Sequence, residues 1–162
     1  EAIWDERHRL ANFGPVPVSI RSGDWVRTFS TSEALYQSCK FYPKDFDIRE
    51  NIRNASTPSD AKAISKEHKK EIRPDWSKIR PKVMRGVIRL KVKQNPDLQQ
   101  ELLQTVDREI YEDADKYAPK NPDEETIKEL RRWAIYQGEG ENLIGRILMD
   151  LRKELQDKGK LK

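Results

Sequence analysis

Hydrophobic and polar residues alternate in one short stretch near the N-terminus, residues 16–29. Apolar side chains fill every second position there up to a Ser-Gly-Asp turn signal at 22–24, and further apolar residues follow the turn. Alternation interrupted by such a signal is typical of two paired strands. We therefore predict a small β-hairpin near the N-terminus.

Beyond residue 30 the apolar positions recur every three or four residues, which predicts amphipathic helices. The stripes comprise Ile79, Val83, Val87 and Leu90, then Leu143, Ile144, Ile147, Leu148, Leu151 and Leu155, and more weakly Ile127, Leu130 and Ala134. Capping residues before prolines indicate helix starts at Thr57-Pro58, Asn95-Pro96 and Asn121-Pro122. We predict an α+β fold that is predominantly helical, a compact single domain over residues 1–162.

The composition fits a folded domain that could bind an anion. The 162 residues are enough to bury a core, and four Trp, five Tyr and four Phe argue against disorder although 37% of residues are charged. The formal net charge is +4. That excess is compatible with an anionic ligand or nucleic acid but does not require one.

The single cysteine, Cys39, excludes an internal disulfide, and we interpret it as a packed side chain rather than a nucleophile. Both histidines lie far from it in sequence, so a metal site is not expected. No membrane-length apolar run or signal peptide is present, which favours a cytoplasmic protein without membrane contact. Residue 1 is Glu rather than Met, so we expect a trimmed N-terminus. We also expect a monomer without a cofactor.

Residues 29–41 carry the first candidate for chemistry. Read as a helix, they place four polar side chains on one face: Glu33, Tyr36, Gln37 and Lys40. A carboxylate, a phenol, an amide and an amine on one face suit general acid–base or nucleophilic chemistry. A structural interpretation competes, because Ser30 and Glu33 have the spacing of a capping box and Lys40 lies near the helix C-terminus. The residues alone favour the structural interpretation.

Two further segments could contact a ligand. In residues 73–84, Trp76 beside arginines could stack on a base, although an aromatic residue at a helix start with solvated charges is the simpler interpretation. In residues 133–152, Gly138, Gly140 and Asn142 stand at the mouth of a strong helix, where backbone amides can bind an anion. Glycines before a helix more often form a turn, and Trp133 is more often a core residue.

Taken in chain order, these segments resemble the NADAR family, the YbiA-like N-glycosidases. The motif positions filled in the first half are Ala11, Asn12, Phe13, Trp25, Thr31, Glu33, Tyr36, Gln37, Lys40, Phe41, Ile52, Arg53, Ala55, Thr57, Pro58, Arg73, Asp75, Trp76 and Met84. Those filled in the second half are Leu102, Leu103, Thr105, Glu112, Gly138, Gly140, Asn142, Ile144, Gly145, Leu148, Met149 and Arg152. No single motif is decisive, but seven in the right order are specific.

The resemblance implies an enzyme that cleaves an N-glycosidic bond to ribose, in a phosphorylated riboflavin-biosynthesis intermediate or in ADP-ribose attached to guanine. It implies that Glu33 is a catalytic carboxylate, and we add Lys40 and Glu112 as catalytic candidates. The predicted substrate-binding residues are Asn12, Phe13, Tyr36, Trp76, Trp133, Gly138, Gly140, Asn142 and Gly145. The expected partner is an ADP-ribose-containing ligand, including ADP-ribosylated DNA or RNA.

One departure from the family pattern concerns the second tryptophan. The family commonly carries an acidic residue just beyond it, and Ile135 stands there instead, after a charge-rich insertion at 115–132. Either Glu112 supplies the second carboxylate, or the chain uses a different substrate, or activity is lost. We predict removal of ADP-ribose from guanine in nucleic acid. The alternatives are hydrolysis of riboflavin intermediates, an ADP-ribose- or nucleotide-binding module without turnover, and a helical nucleic-acid-binding protein.

Overall fold

The computed structural model describes residues 2–4 and 8–162. Within them the chain forms two compact units, which we name the central unit (Pro15–Gln94) and the terminal unit (Glu1–Gly14 with Asn95–Lys162). Each contains its own helices and its own strand pair. The predominantly helical α+β fold is therefore confirmed, whereas a single domain over residues 1–162 stays a prediction.

The central unit begins with the predicted hairpin. Strands β1 (Val18–Ser22) and β2 (Trp25–Phe29) pair antiparallel, with Val18 opposite Phe29 and Ser22 opposite Trp25. Gly23 has a φ of +59° in the turn, a conformation that glycine adopts without strain. The hairpin prediction is confirmed.

Four helices complete the central unit: α1 (Ser32–Cys39), α2 (Phe46–Arg53), α3 (Pro58–Glu67) and α4 (Trp76–Gln94). Helix α1 packs against each of the other three, and every residue from 32 to 38 is buried. A helix so enclosed would ordinarily be apolar all round. The polar side chains of α1 therefore lie inside the unit rather than on its surface.

Helix α4 turns a different face inward from the one predicted. Of the predicted stripe only Val87 is fully buried, while Ile79, Val83 and Leu90 are half-buried. After Trp76 in its first turn, the fully buried positions of α4 follow at spacings of three, one, three and one, as Met84, Val87, Ile88, Lys91 and Val92. Sequence spacing misplaced this face because a lysine, which hydrophobicity assigns to solvent, belongs to it.

The terminal unit combines a strand pair with three helices. Strand β3 (Ala2–Trp4) is parallel to β4 (Ile110–Glu112), and the helices are α5 (Pro96–Gln104), α6 (Glu124–Trp133) and α7 (Leu143–Lys158). Helix α7 packs against α5, α6 and β4. The predicted stripe of α7 is confirmed, and its fully buried members are Ile144, Ile147, Leu148, Leu151 and Leu155. A short 3-10 helix occupies 114–116 in this unit, and another occupies 69–71 in the central unit.

Two of the three predicted helix starts are confirmed. Helix α3 begins at Pro58, where the Thr57 hydroxyl accepts from the amide of Asp60 at 3.0 Å, and α5 begins at Pro96. The start at Asn121-Pro122 is wrong, because α6 begins at Glu124. The carboxylate of Asp123 accepts from the Thr126 amide at 2.8 Å, so this charged cap sets the first turn.

In the part of the chain that the structure describes, no helix is both long enough and apolar enough to cross a membrane.

Candidate active site

The position of Glu33 is set by the threonine before helix α1. The Thr31 hydroxyl accepts a hydrogen bond from the amide of Ala34 at 3.2 Å, and Thr31 has the extended backbone of an N-cap residue. A capping box needs a glutamate three residues after the cap, and Ala34 occupies that place. The predicted capping box of Ser30 and Glu33 is therefore wrong, which removes the structural explanation for Glu33.

Glu33 instead forms a buried pair with Gln37 one turn later. The Nε2 atom of Gln37 donates to Oε1 of Glu33 at 2.6 Å, and the two residues are 6% and 3% exposed. The other amide atom of Gln37, Oε1, is buried and accepts no hydrogen bond within the described residues. An unsatisfied buried acceptor costs about 1–3 kcal/mol, so a hydroxyl or N–H of a ligand would be stabilised there.

Tyr36 and Trp76 form an aromatic wall beside this pair. Their ring centroids lie 5.1 Å apart at an interplanar angle of 54°, and both side chains are buried. The Nζ atom of Lys40 lies 6.0 Å from the centroid of each ring. The structure thus brings together four of the predicted site residues, Glu33, Tyr36, Lys40 and Trp76, in the central unit.

The start of α4 is fixed against the end of α1. The amide of Arg73 donates to the carbonyl of Lys40 at 2.9 Å, and its guanidinium binds both carboxylate oxygens of Asp75 at 2.6 and 3.0 Å. The hydrogen bond from Arg73 lowers the pKa of Asp75 below its usual value. These contacts hold Trp76 next to Tyr36. Stacking of Trp76 on a base stays a prediction.

Cys39 lies at the end of α1 but does not supply a nucleophile. Burial raises the pKa of its thiol to about 11, although Arg49 and Arg73 act in the opposite direction. The thiolate is the reactive form, and very little of it exists at neutral pH.

In the terminal unit, hydrogen bonds of its backbone and side chain hold the other catalytic candidate, Glu112. The hydroxyl of Tyr117 donates to its Oε1 atom at 3.1 Å, and its carbonyl accepts from the amide of Ile135 at 2.9 Å. Its own amide donates to Oδ1 of Asn142 at 3.3 Å. Glu112 is 6% exposed. It is therefore a buried carboxylate with a fixed backbone and a hydrogen-bonded side chain.

Asn142 and Gly145 position strand β4. The Asn142 amide also donates to the carbonyl of Ile110 at 2.8 Å, so both of its polar atoms bind that strand. A Cβ atom at Gly145 would lie 2.2 Å from the same Ile110 carbonyl oxygen. Substrate contacts of these two residues stay predictions, because the geometry explains them through packing alone.

Gly138 lies in a tight reverse turn, and Gly140 follows that turn. Tyr136 and Glu139 exchange backbone hydrogen bonds of 2.8 and 3.1 Å across it, and Gly138 has a φ of +77°. A Cβ atom at Gly140 would lie 2.1 Å from the carbonyl oxygen of Ala134. Both glycines are thus required by the backbone, and anion binding at this turn stays a prediction.

A surface cavity of about 480 Å³ lies beside that turn, within the terminal unit. Its lining includes Lys128, Arg131 and Arg132. The Nε atoms of the two arginines are buried and have no hydrogen-bond partner in the described chain. Its other lining residues are Glu124, Ile127, Glu139, Gly140 and Glu141. Because three glutamates face the three cations, charge alone does not select an anion here.

Comparison with known proteins decides the family. The family model described as the NADAR domain matches residues 3–156, nearly the whole chain. This chain belongs to the NADAR domain family.

Two curated relatives and one solved structure illustrate the NADAR likeness. The riboflavin biosynthesis protein VVA0006 of Vibrio vulnificus is 36% identical over 94% of this chain, but the chain spans only 37% of that protein's length. The N-glycosidase YbiA of Escherichia coli is 29% identical, with 93% of this chain and 83% of YbiA covered. The NMR structure of E. coli YbiA matches with a TM-score of 0.74 and 26% identity, covering 98% of this chain and 87% of YbiA. The predicted YbiA-like fold is confirmed.

Ile135, the position at which we expected an acidic residue, lies beside the strand that carries Glu112. The amide of Ile135 donates to the Glu112 carbonyl, and the amide of Ala114 donates to the Ile135 carbonyl at 2.8 Å. Asp113 is the residue directly opposite Ile135 in this parallel bridge. Glu112 and Asp113 therefore lie beside Ile135 along the backbone, and the role of Glu112 as a second carboxylate stays a prediction.

The remaining predicted residues of the NADAR site are also in the terminal unit. Nε1 of Trp133 donates to Glu129 at 3.2 Å, Asn12 is buried and Phe13 is half-buried. Their binding roles stay predictions. Within residues 2–4 and 8–162, no group of three or more His, Cys, Asp or Glu is arranged to hold a metal ion.

Two residues that contact the catalytic candidates are absent from the predicted site residues. Gln37 belongs to the predicted polar face of α1, and its i+4 spacing from Glu33 could have identified the hydrogen bond. No sequence pattern indicates Tyr117, because an irregular turn with a 3-10 helix separates it from Glu112.

Proposed function

We propose that this NADAR protein is an N-glycosidase that releases ADP-ribose from guanine bases of nucleic acid. The observation that carries the proposal is the buried Glu33–Gln37 pair beside the Tyr36–Trp76 wall. The relatives named N-glycosidases support the class of reaction. The chain's net charge of +4 is compatible with a polyanionic substrate.

The reaction needs a carboxylate near the sugar. As the bond between C1′ and the base nitrogen breaks, its electron pair goes to nitrogen and positive charge builds on the ribose ring. The Glu33 carboxylate stabilises that charge or takes a proton from the water that adds to C1′. The free Oε1 of Gln37 accepts a hydrogen bond from a ribose hydroxyl, while its Nε2 keeps Glu33 in place.

Lys40 is suited to give the departing base its proton. Its ammonium group lies 6.0 Å from two aromatic ring centroids, and ring faces stabilise a cation. We therefore favour Lys40 as a general acid over Lys40 as a Schiff-base nucleophile. Glu112 remains the predicted second carboxylate.

The test is the Glu33→Gln protein acting on an oligonucleotide that carries ADP-ribosylated guanine. We expect kcat/KM for release of ADP-ribose, read by mass, to fall at least about 100-fold, since a neutral amide cannot stabilise the ribosyl cation. The variant keeps an oxygen that accepts from Gln37, so its Tm should stay close to that of the wild type.

Glu67→Gln is the matched control, because Glu67 is an exposed residue of α3 and the change removes the same charge. Its kcat/KM should equal that of the wild type. Release at the wild-type rate by Glu33→Gln would overturn the role of Glu33. Calorimetric binding of ADP-ribose without any release by the wild type would instead indicate a binding module.

A second candidate function is favoured by one comparison. The relative from V. vulnificus is named for riboflavin biosynthesis, and the maize relative PYRR, 30% identical over 94% of this chain, carries the same description. A phosphorylated ribosylamine intermediate would present the same kind of N-glycosidic bond. Turnover of that small substrate, with none of ADP-ribosylated guanine, would establish this alternative.

A further inference from the structure

The charge-rich insertion at 115–132 contacts predicted site residues near both of its ends. Near its start, the hydroxyl of Tyr117 donates to Oε1 of Glu112 at 3.1 Å. Near its end, a carboxylate oxygen of Glu129 accepts from Nε1 of Trp133 at 3.2 Å. The insertion therefore supplies hydrogen-bond partners to a catalytic candidate and to a predicted substrate-binding residue, and the proposed function does not yet use either contact.

The backbone around Tyr117 is fixed by hydrogen bonds. The amide of Tyr117 donates to the carbonyl of Ala114 at 3.2 Å, and the Ala114 amide donates to the Ile135 carbonyl at 2.8 Å. Both carboxylate oxygens of Asp115 accept from the Gln137 amide, at 3.0 and 3.2 Å. These bonds tie the start of the insertion to the chain just beyond helix α6, so the backbone holds the phenol in place.

The ring of Tyr117 is held as firmly as its backbone. It packs against a buried cluster whose members are Ala114, Ala134 and Tyr136. A packed ring has few rotamers left, so ordering its hydroxyl costs little further conformational entropy. The phenol is therefore oriented towards the carboxylate before any substrate binds, as a precise site requires of the side chains that support it.

Of the three acidic residues at 112–115, Glu112 is the buried one. The carboxylate of Asp113 accepts from the Asp115 amide at 3.2 Å and so caps the 3-10 helix. Asp115 is exposed and bonds to the chain beyond α6. Ile135, at which we expected an acidic residue, carries no charge. Glu112 is therefore the acid of this region that a catalytic role suits best.

We propose that Tyr117 is a positioning residue that orients the Glu112 carboxylate for the N-glycosidase reaction. A hydroxyl donor fixes one carboxylate oxygen and favours the ionised form, which can stabilise the ribosyl cation or take a proton from water. The bond of 3.1 Å is longer than the about 2.8 Å typical of hydroxyl donors, and catalytic hydrogen bonds commonly tighten when substrate binds.

The proposal rests on the proposed function and deepens it by naming the group that holds the second carboxylate. It also gives the insertion a purpose: in a chain with isoleucine at position 135, a phenol from the insertion orients the acid that remains.

The experiment is a double-mutant cycle on kcat for release of ADP-ribose from an oligonucleotide that carries ADP-ribosylated guanine. Tyr117→Phe removes the hydroxyl and keeps the packed ring, so the fold is preserved. We expect kcat to fall about 10-fold while KM changes less than about twofold, because the lost bond acts on the chemical step. In the Glu112→Gln protein, adding Tyr117→Phe should lower kcat no further, because the carboxylate that it orients is gone.

Tyr136→Phe is the matched control, because it removes a phenol hydroxyl from the same buried cluster and leaves the bond to Glu112 intact. Its kcat should equal that of the wild type. A hydroxyl that served stability alone would lower the Tm of Tyr117→Phe and leave its kcat unchanged, and that result would overturn the proposal. An equal loss of kcat with and without the Glu112 carboxylate would overturn it too, since Tyr117 would then act independently of Glu112.

A measurement without turnover separates this proposal from the proposed function. In protein labelled with carbon-13 at the glutamate carboxyl groups, the Glu112 resonance is identified by its absence from Glu112→Gln. Tyr117→Phe should shift that resonance and Tyr136→Phe should not, because the carboxyl carbon responds to hydrogen bonds at its oxygens.

The two failures then look different. If the wild type releases no ADP-ribose but the resonance shifts as expected, the proposed function fails and the orientation of Glu112 by Tyr117 is supported. A Glu112 resonance that is the same in the wild type and in Tyr117→Phe overturns the positioning role, whatever the turnover.

Discussion

The position of Glu33 in α1 depends on which of two neighbouring hydroxyl side chains caps the helix. Either Ser30 or Thr31 could cap α1, and the two choices put Glu33 in different positions of the first turn. The structure uses Thr31, so Glu33 lies one residue too early for a capping box and bonds to Gln37. The sequence could predict the shared helix face but not the cap, because both residues have similar capping preference.

The burial of the Cys39 thiol predicts that it reacts slowly with alkylating reagents. With a pKa of about 11, about one thiol in a thousand is ionised at pH 8, whereas free cysteine has a pKa near 8.5. We expect alkylation by iodoacetamide at pH 8 to be on the order of a hundredfold slower than for glutathione, and to accelerate up to about pH 11.

Mass spectrometry of timed samples measures this rate, and the Cys39→Ala protein is the control for alkylation elsewhere. Alkylation as fast as that of glutathione would contradict the burial of the thiol. Turnover by Cys39→Ala should equal that of the wild type, since the thiol takes no part in the proposed chemistry.

The contact between α7 and β4 depends on glycine at position 145, which has no side chain. Alanine at Gly145 would place its Cβ 2.2 Å from the backbone oxygen of Ile110, and backbone cannot move aside cheaply. We expect Gly145→Ala to lower the free energy of unfolding by about 2–4 kcal/mol. Because β4 carries Glu112, activity should fall as well.

Gly86 provides a matched control for that change. It lies in the exposed part of α4, and a Cβ atom there would meet nothing within 4 Å. Gly86→Ala should therefore raise the free energy of unfolding by about 0.5–1 kcal/mol, because alanine loses less backbone entropy in a helix. Urea unfolding of both variants checks the pair, and equal effects would refute the packing argument.

Local signals predicted elements well where one signal dominated. The hairpin at 18–29 and the apolar face of α7 depend on strong, simple patterns, and both are confirmed. The start of α6 was misplaced because Asn121-Pro122 and Asp123 compete within three residues, and the charged cap prevails. The inward face of α4 was misplaced because it includes the buried Lys91. Each error arose where two local preferences conflicted.

Across the whole molecule, acid should weaken the ion pairs between arginines and carboxylates. Arginine partners lower the folded-state pKa of Glu50, Asp75 and Asp97. A lowered pKa adds stability that is present above the unfolded value near pH 4 and is lost as pH falls through the folded value. Tm should therefore be flat from pH 7 to 5 and fall steadily below about pH 4.

Calorimetric scans between pH 7 and 2.5 measure this dependence. The Glu50→Gln protein should have a lower Tm at pH 7 and a shallower fall in acid, because Arg27 and Arg53 lose their shared partner. A wild-type Tm that is the same at pH 6 and pH 3 would show that these pairs contribute nothing.

The site was predictable only in part for reasons that concern the whole chain. The order of motifs identified the family, and the structure places Trp76 against Tyr36 of α1. The contact of Tyr117 with Glu112 comes from a charge-rich insertion whose path no periodicity describes. Monomeric state, cytoplasmic location and the nucleic-acid partner stay predictions.

Conservation of Asn142 among descendants of this chain would reveal a preserved fold rather than a preserved activity. The residue accepts from one amide, donates to one carbonyl and adopts a φ of +50°, and asparagine is one of few side chains suited to all three. Selection for a folded chain would keep it even in a lineage that had stopped turning over substrate. Its retention in a descendant therefore reports an intact strand β4, whereas drift at Glu33 or Gln37 would mark the loss of the catalysis that we propose.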